Sequence, residues 1–300
     1  MLSRIKINLR DLNLIESASE IWEEISKVNN LEIEFHKLDG KIPVMIARDV
    51  FAYPDKVYDF FQSLDYWETR NFSTNSIVRP GLTHQFAEPL FPFIAEGFTP
   101  GLSRLFGVNN LEPVDIYTSA YSGKMTLDAT EGLCCYPHMD SDPYDSVQNG
   151  EGPCLVANLN LTKSIDPVKT GFWSWRGKTD FLDMDRKDKN TLTNFYNRHE
   201  DQIIDEWFQV HDYEDFKLES AADMVYNSLV LYFPGVLHNP YIKPEWFADD
   251  HRLMMSIFYT MSPEGLDFEE RDAELVGAAW EHFKLDTLFN YHPQQTVPEI

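Results

Sequence analysis

From Pro113 to Met261 the apolar residues fall in short runs rich in β-branched and aromatic side chains, broken by Gly, Pro, Asn and Asp. Runs of this length and texture predict strands at Val114–Tyr121, Gly132–His138, Cys154–Leu161, Gly171–Arg176, Met224–Phe233 and Arg252–Met261. Many short strands with turn punctuation predict a sandwich or barrel of the jelly-roll kind. Ahead of them the period changes. Ile21, Ile25 and Val28 recur at helical spacing, then Leu31, Ile33 and Phe35 alternate with Glu32 and Glu34. Asp39-Gly40 is a hairpin turn into a second apolar run at Pro43–Ile46, and Pro54 opens a helix with Val57, Phe60, Phe61 and Leu64 on one face. Beyond the strands, Leu275, Val276, Ala279, Trp280 and Phe283 mark a helix within Phe268–Phe289 that is expected to pack against the sheet.

No repeat, low-complexity tract or Gly/Ser linker interrupts the chain, so a single domain over residues 1–300 is expected. Its parts are an N-terminal helix and hairpin layer (1–112), a mainly β core (113–261) and a C-terminal helical segment (262–300). Within the core, residues 178–222 carry 6 basic and 12 acidic residues with a helix-like stretch around Asn190–Phe208. That insertion is too polar for core and is expected to lie over one barrel mouth as a lid, where substrate choice would reside.

Composition narrows the function classes. Of 300 residues, 43% are hydrophobic, enough for a large buried core. Lys and Arg number 25 against 49 Asp and Glu, a net charge of −24, and that field repels nucleic acid and anionic membrane surfaces while favouring cationic or small neutral ligands. Three cysteines, Cys134, Cys135 and Cys154, form neither a disulfide framework nor a zinc-ribbon pattern. The N-terminus lacks a signal-peptide run, and no stretch approaches the ~20 apolar residues of a membrane span. A cytoplasmic protein is expected.

The chemistry centres on CCYPHMDSDP. In a strand, His138 and Asp140 project from the same face and could grip one metal ion. A second imidazole from elsewhere would complete the two-His-one-carboxylate triad that leaves open positions at Fe(II). The spacing alone equally fits a strand-end pair in which the carboxylate orients a surface imidazole. Downstream, after the apolar Ser228–Phe233 run and Pro234-Gly235, comes His238 in VLHNP. Arg252 then opens RLMMSIFYT, with Arg252, Met254 and Ser256 on one face.

This order of motifs resembles the Fe(II)/2-oxoglutarate-dependent dioxygenase superfamily, most closely its prolyl-hydroxylase-like branch. CLVANLNL is similar to that family's strand ending in Leu-Asn (Leu159-Asn160), TGFWSWRG to its Gly-aromatic strand, SLVLYFPGVLHNP to the strand delivering the distal His, and KIPVMIARDVFAYPDKVYDFF to its opening strand and helix. The resemblance covers Lys41 to Met261 and implies a double-stranded β-helix (jelly-roll/cupin-like) core with N- and C-terminal helices. It implies His138, Asp140 and His238 as Fe(II) ligands, 2-oxoglutarate as cosubstrate and O2 as oxidant. Arg252 becomes the partner of the far carboxylate of 2-oxoglutarate, with Ser256 as helper and Tyr117, Tyr121 and Asn158 as further cosubstrate contacts. Because Asp140 keeps a carboxylate where halogenating members of the superfamily have a small residue, the resemblance favours hydroxylation over halogenation.

Plainer roles stand beside these. Arg252 also suits an ion pair with Asp249 or Asp250, the two tyrosines suit core packing, Asn160 a turn or sheet edge, and Trp173 and Trp175 core. His251 is a rival distal ligand without an apolar lead-in strand, while His36, His84, His199, His211, His282 and His292 lack ligand spacing. Cys134 and Cys135 are expected as packed thiols. The expected activity is oxidation of an unactivated C–H of an amino acid, peptidyl residue or other small molecule, releasing succinate and CO2. The rival readings are a β-helix binding or scaffold module without catalysis and a cupin-like metalloprotein that does not use 2-oxoglutarate. The substrate, the oxidised carbon and the oligomeric state are not encoded in these patterns.

Overall fold

The computed structural model describes residues 20–21, 23–29, 31–63, 68–69, 82–85, 97–108, 111–121, 137–140, 154–180, 183–199, 215–241, 246, 252–260, 273–283 and 285. Its strands are β1 (Ile33–Leu38), β2 (Ile42–Ala47), β3 (Glu68–Thr69), β4 (Leu82–Gln85), β5 (Glu112–Tyr121), β6 (Leu155–Asn160), β7 (Lys169–Trp175), β8 (Phe216–Asp223), β9 (Ser228–Tyr232), β10 (His238–Tyr241) and β11 (Arg252–Thr260). Helices α1 (Pro54–Ser63), α2 (Thr99–Phe106), α3 (Arg186–His199) and α4 (Ala273–Phe283) complete the described elements.

The strands form two sheets, one of eight strands in the order β1-β2-β9-β6-β11-β5-β4-β3 and one of three in the order β10-β7-β8. Among the described residues every pairing is antiparallel. His138 joins the smaller sheet beside β10, because its N–H donates to the His238 carbonyl at 2.8 Å and the His238 N–H donates back at 2.9 Å. Along the chain the strands therefore alternate between sheets: β5 large, His138 small, β6 large, β7 and β8 small, β9 large, β10 small, β11 large. That alternation is the winding of a double-stranded β-helix, with helices added to a mainly β core.

Local chemistry explains the framing elements. Asp39 and Gly40 both take positive φ, at 47° and 71°, and the Lys41 N–H donates back to the Leu38 carbonyl at 3.0 Å, closing a loop of three residues between the strands. The turn sets the β1–β2 register, Leu38 opposite Ile42. Val57, Phe60 and Phe61 of α1 enter the main core with Val44 and Met45 of β2, Leu229 and Leu231 of β9, and Val276 and Trp280 of α4. Leu64, expected on the same helical face, lies outside the described residues. Helix α4 is fixed to α2 by the Trp280 indole N–H, which donates to the Phe106 carbonyl at 2.8 Å, so it packs on a helix as well as on β2. No helix among the described residues is long and apolar enough to cross a membrane.

Some strand limits move, and each shift has a reason. β9 begins at Ser228, not Met224, because Asn227 sits at φ 61° and Ser228 bonds back to Val225, making a turn of residues the apolar pattern had joined to the strand. Of the expected strand Gly132–His138, residues 132–136 lie outside the described residues. The segment read as a lid-like insertion, 178–222, ends in β8, paired along β7. Its Lys217, Glu219 and Asp223 hid an edge strand that buries only Phe216 and Ala222 fully. Helix α3 also departs from the expected place over a barrel mouth: Leu192 and Phe195 cluster with Trp173, Trp175, Phe216 and Leu237 on the outer face of the small sheet. The expected helical residues 200–208 lie outside the described part.

One carboxylate ties the N-terminal hairpin to the small sheet. Glu219, its side chain 5% exposed, accepts from Lys41 at 2.8 Å and from the Ser174 hydroxyl at 2.7 Å, with Lys217 at 3.3 Å. The Lys41 bond, then that from Ser174, holds the Glu219 carboxyl down at about 2, against an ordinary 4.5. A depressed carboxyl adds stability that is complete above 4.5 and disappears as pH falls through about 2. Since both lysines are exposed, the net worth is modest. Glu219→Gln is expected to cost about 1–2 kcal/mol at pH 7 in urea unfolding, a gap that narrows progressively below pH 4.5; a gap constant down to pH 2.5 contradicts this.

Candidate metal centre

Three side chains from two separate stretches meet inside the roll. His138 and Asp140 are two residues apart on one extended segment, whose second anchor is the Asp140 N–H donating to the Pro234 carbonyl at 3.0 Å. His238 is the first residue of β10 and the direct backbone partner of His138, so the two imidazoles leave the sheet on one side. Their ring centroids are 4.5 Å apart. Asp140 Oδ1 lies 3.6 Å from His138 Nε2, and Oδ2 lies 3.2 Å from His238 Nε2. The three ligand atoms all fall within 4.8 Å of one another.

The donor set fits a divalent metal of the first transition row. Two imidazole nitrogens and one carboxylate suit Fe(II), and bonds of about 2.1 Å at right angles place neighbouring donors about 3 Å apart, close to the two His–Asp separations. The His238 ring is already set for this. Its Nδ1 lies 2.9 Å from the Val236 carbonyl, which calls for the proton on Nδ1 and leaves the Nε2 lone pair facing Asp140.

Both imidazoles of the triad line a narrow cavity of about 30 Å³, together with Asn158, Arg252, Ser256 and Tyr232 among others. Arg252 opens β11, is 4% exposed, and donates from Nη2 to the Lys169 carbonyl at 3.3 Å. It brings a formal positive charge into the cavity that holds the two imidazoles. Ser256 donates to Asn158 Oδ1 at 2.6 Å, and Asn158 Nδ2 donates to the Tyr232 hydroxyl at 2.8 Å. Tyr117 and Tyr121 stand opposite Ser256 and Arg252 in the β5–β11 register, and their side chains lie outside the described residues.

Other candidates are placed elsewhere. Asn160 is buried, donates to the Met224 carbonyl and accepts from the Thr162 N–H two residues on, so of its expected plain roles the turn holds and the sheet edge does not. Trp173 and Trp175 are core, on the face away from the triad. Cys154 donates its thiol to the Tyr259 carbonyl, while Cys134, Cys135, Asp249, Asp250, His211, His251 and His292 lie outside the described residues. His282 is half-buried against the Val44 carbonyl, and burial pushes it below its ordinary value. Four cavity residues were given no role from the sequence: Thr170, Tyr232, Asn239 and Pro240. Tyr232 lies within an unbroken apolar run and has no polar neighbour in sequence to mark it; its shared face with Ser228 and Val230 was the available signal.

No protein-family model matches the chain, and no curated protein sequence does. Among solved structures, HygX from Streptomyces hygroscopicus with iron bound is similar at a TM-score of 0.44 and 11% identity, over 75% of this chain and 85% of that one. HygX with nickel, 2-oxoglutarate and hygromycin B bound gives a TM-score of 0.42 and 11% identity over 74% and 84%. EctD from S. alaskensis in its apoform gives 0.38 and 12% over 75% and 78%. The two-sheet winding is the fold that the resemblance to the Fe(II)/2-oxoglutarate-dependent dioxygenase superfamily implies, and His138, Asp140 and His238, which it implies as ligands, come together in a group that could hold a metal ion.

Proposed function

We propose that the chain is a non-haem Fe(II)- and 2-oxoglutarate-dependent oxygenase that hydroxylates an unactivated C–H of an amino acid, peptidyl residue or other small molecule, with release of succinate and CO2. The observation that carries this reading is the convergence of His138, Asp140 and His238 within 4.8 Å, beside a buried arginine in the same cavity. When bound, ferrous iron supplies the one-electron chemistry with O2 that no side chain here can perform.

The chain's own residues have separate tasks. Both imidazoles and the Asp140 carboxylate would hold the ion, and the two imidazoles line the cavity beside it. Arg252 neutralises a carboxylate there by charge-assisted hydrogen bonds, which gain strength from burial. Asn158 and Ser256 add polar contacts on the same wall, and Met254 keeps that wall otherwise apolar. The net charge of −24 supports a cationic or zwitterionic substrate and opposes nucleic acid. Three cysteines without a disulfide framework suit the cytoplasm.

Anaerobic addition of Fe(II) and 2-oxoglutarate is expected to give a visible charge-transfer band, and a screen of amino acids and short peptides to give substrate-dependent succinate. Arg252→Ala is expected to raise the 2-oxoglutarate concentration needed for the band about 10- to 100-fold while leaving the affinity for Fe(II) alone unchanged. An unchanged requirement would place the partner of the far carboxylate elsewhere than Arg252, Fe(II) binding without any band in the native chain would favour the metalloprotein that does not use 2-oxoglutarate, and the absence of Fe(II) binding and of succinate would favour the scaffold module.

A further inference from the structure

We propose that Tyr232 is a positioning residue for the distal ligand, holding the His238 ring in place across the gap between the two sheets. The inference rests on the metal-centre reading above. Tyr232 ends β9 of the large sheet and is 1% exposed, whereas His238 begins β10 of the small sheet. Their ring centroids are 4.6 Å apart at 57°. The tyrosine ring also meets Phe172 edge-on at 5.5 Å and 82°, and Phe172 is the backbone partner of His238 in β7. The imidazole is therefore packed against one side of a ring whose other contact comes from its own neighbouring strand.

A histidine ligand needs two things fixed: which nitrogen carries the proton, and where the ring points. The Val236 carbonyl settles the first through Nδ1. That bond comes from two residues earlier in the chain, just ahead of β10, so it cannot report the position of the opposite sheet. Tyr232 can, because its hydroxyl is tied to Asn158, and Asn158 is tied to Ser256 across the register pair of β6 and β11. β11 also carries Arg252, the cavity's buried cation. The run Ser256–Asn158–Tyr232 thus refers the orientation of His238 to the strand that carries the anion-binding arginine. A phenylalanine would supply the packing without this reference, and an aliphatic residue would supply neither.

Co(II) titration of the full-length chain tests this, because cobalt reports both affinity and ligand geometry through its visible bands. Tyr232→Met is expected to weaken Co(II) binding about tenfold or more and to change the band shape, the size of effect found when a group supporting a metal ligand is removed. Tyr232→Phe should stay within about threefold of the native affinity but shift the bands, since the tie to Asn158 is lost. Phe61→Met, which opens comparable space in the main core, should lower the melting midpoint of the metal-free chain and leave Co(II) binding alone. Native Co(II) affinity and spectrum in both Tyr232 variants overturn the proposal. A native chain that takes up no Co(II) removes the metal centre itself, a result distinct from the first.

Discussion

Replacing His138 or His238 by alanine is expected to abolish tight divalent-metal binding, with affinity for Fe(II) or Co(II) falling well beyond the ~100-fold typical of losing a supporting group, and turnover falling to background. The reason is the small size of the donor set. With three ligand atoms within 4.8 Å, removal of one imidazole leaves a single nitrogen and a carboxylate, a pair that exposed surfaces also offer. Asp140→Asn should do nearly the same. The amide keeps the shape yet loses the charge that offsets a divalent cation in a site where the Asp140 side chain is nearly enclosed. Melting gives a readout independent of catalysis. Metal at about 100 times its dissociation constant should add roughly 2.7 kcal/mol to the native chain by mass action and nothing to the three variants. If His138→Ala keeps the full metal-induced rise, the ion is held elsewhere and the proposed activity falls with it.

Parts of this site can be read along the chain and parts cannot, and the division is physical. His138 and Asp140 share a face by the two-residue period of a strand, and that much is local. Their meeting with His238, 98 residues beyond Asp140, needs the backbone pairing of His138 with His238, a long-range register that no local period encodes. The motif order stood in for it. Arg252 and Ser256 were legible by alternation from the start of β11, and both do line the cavity. Tyr232 was not, because a tyrosine inside SLVLYF obeys the same apolar pattern whether its hydroxyl is idle or bonded to Asn158. β8 was hidden by the opposite effect. An edge strand needs few buried side chains, and Glu219 is satisfied by Lys41 from the N-terminal hairpin, so charge concealed an extended segment. Helix α3 shows the same limit: its apolar residues announced a helix, but which side of the sheet it covers is decided by Trp175 and Phe216, themselves placed by strand pairing.

Gly171→Ala is expected to destabilise the chain by about 2–4 kcal/mol and to weaken metal binding, reversing the usual gain when a strand glycine becomes alanine. Gly171 lies opposite Asn239 in the β7–β10 register, and its backbone is not left-handed, so space and not conformation is what it provides. A Cβ built there would sit 2.7 Å from Asn239 Oδ1, 3.1 Å from Trp173 Nε1 and 3.3 Å from Tyr241 Cβ. Those first two atoms already form a buried hydrogen bond of 2.8 Å, inside which a methyl group has no room. Either the bond opens, or β10 moves away from β7. Asn239 is joined directly to His238, so a shift of β10 carries the distal ligand with it. Trp173 has little freedom to retreat, because its ring is buried in the cluster beneath α3. Urea unfolding and Co(II) titration of Gly171→Ala should therefore change together. Adding Asn239→Ala removes the colliding oxygen, so the double variant should lose less than the sum of the single losses, by about 1 kcal/mol or more. A neutral or stabilising Gly171→Ala would show that β10 is free to move, and with it that His238 is not held by the packing on its neighbour.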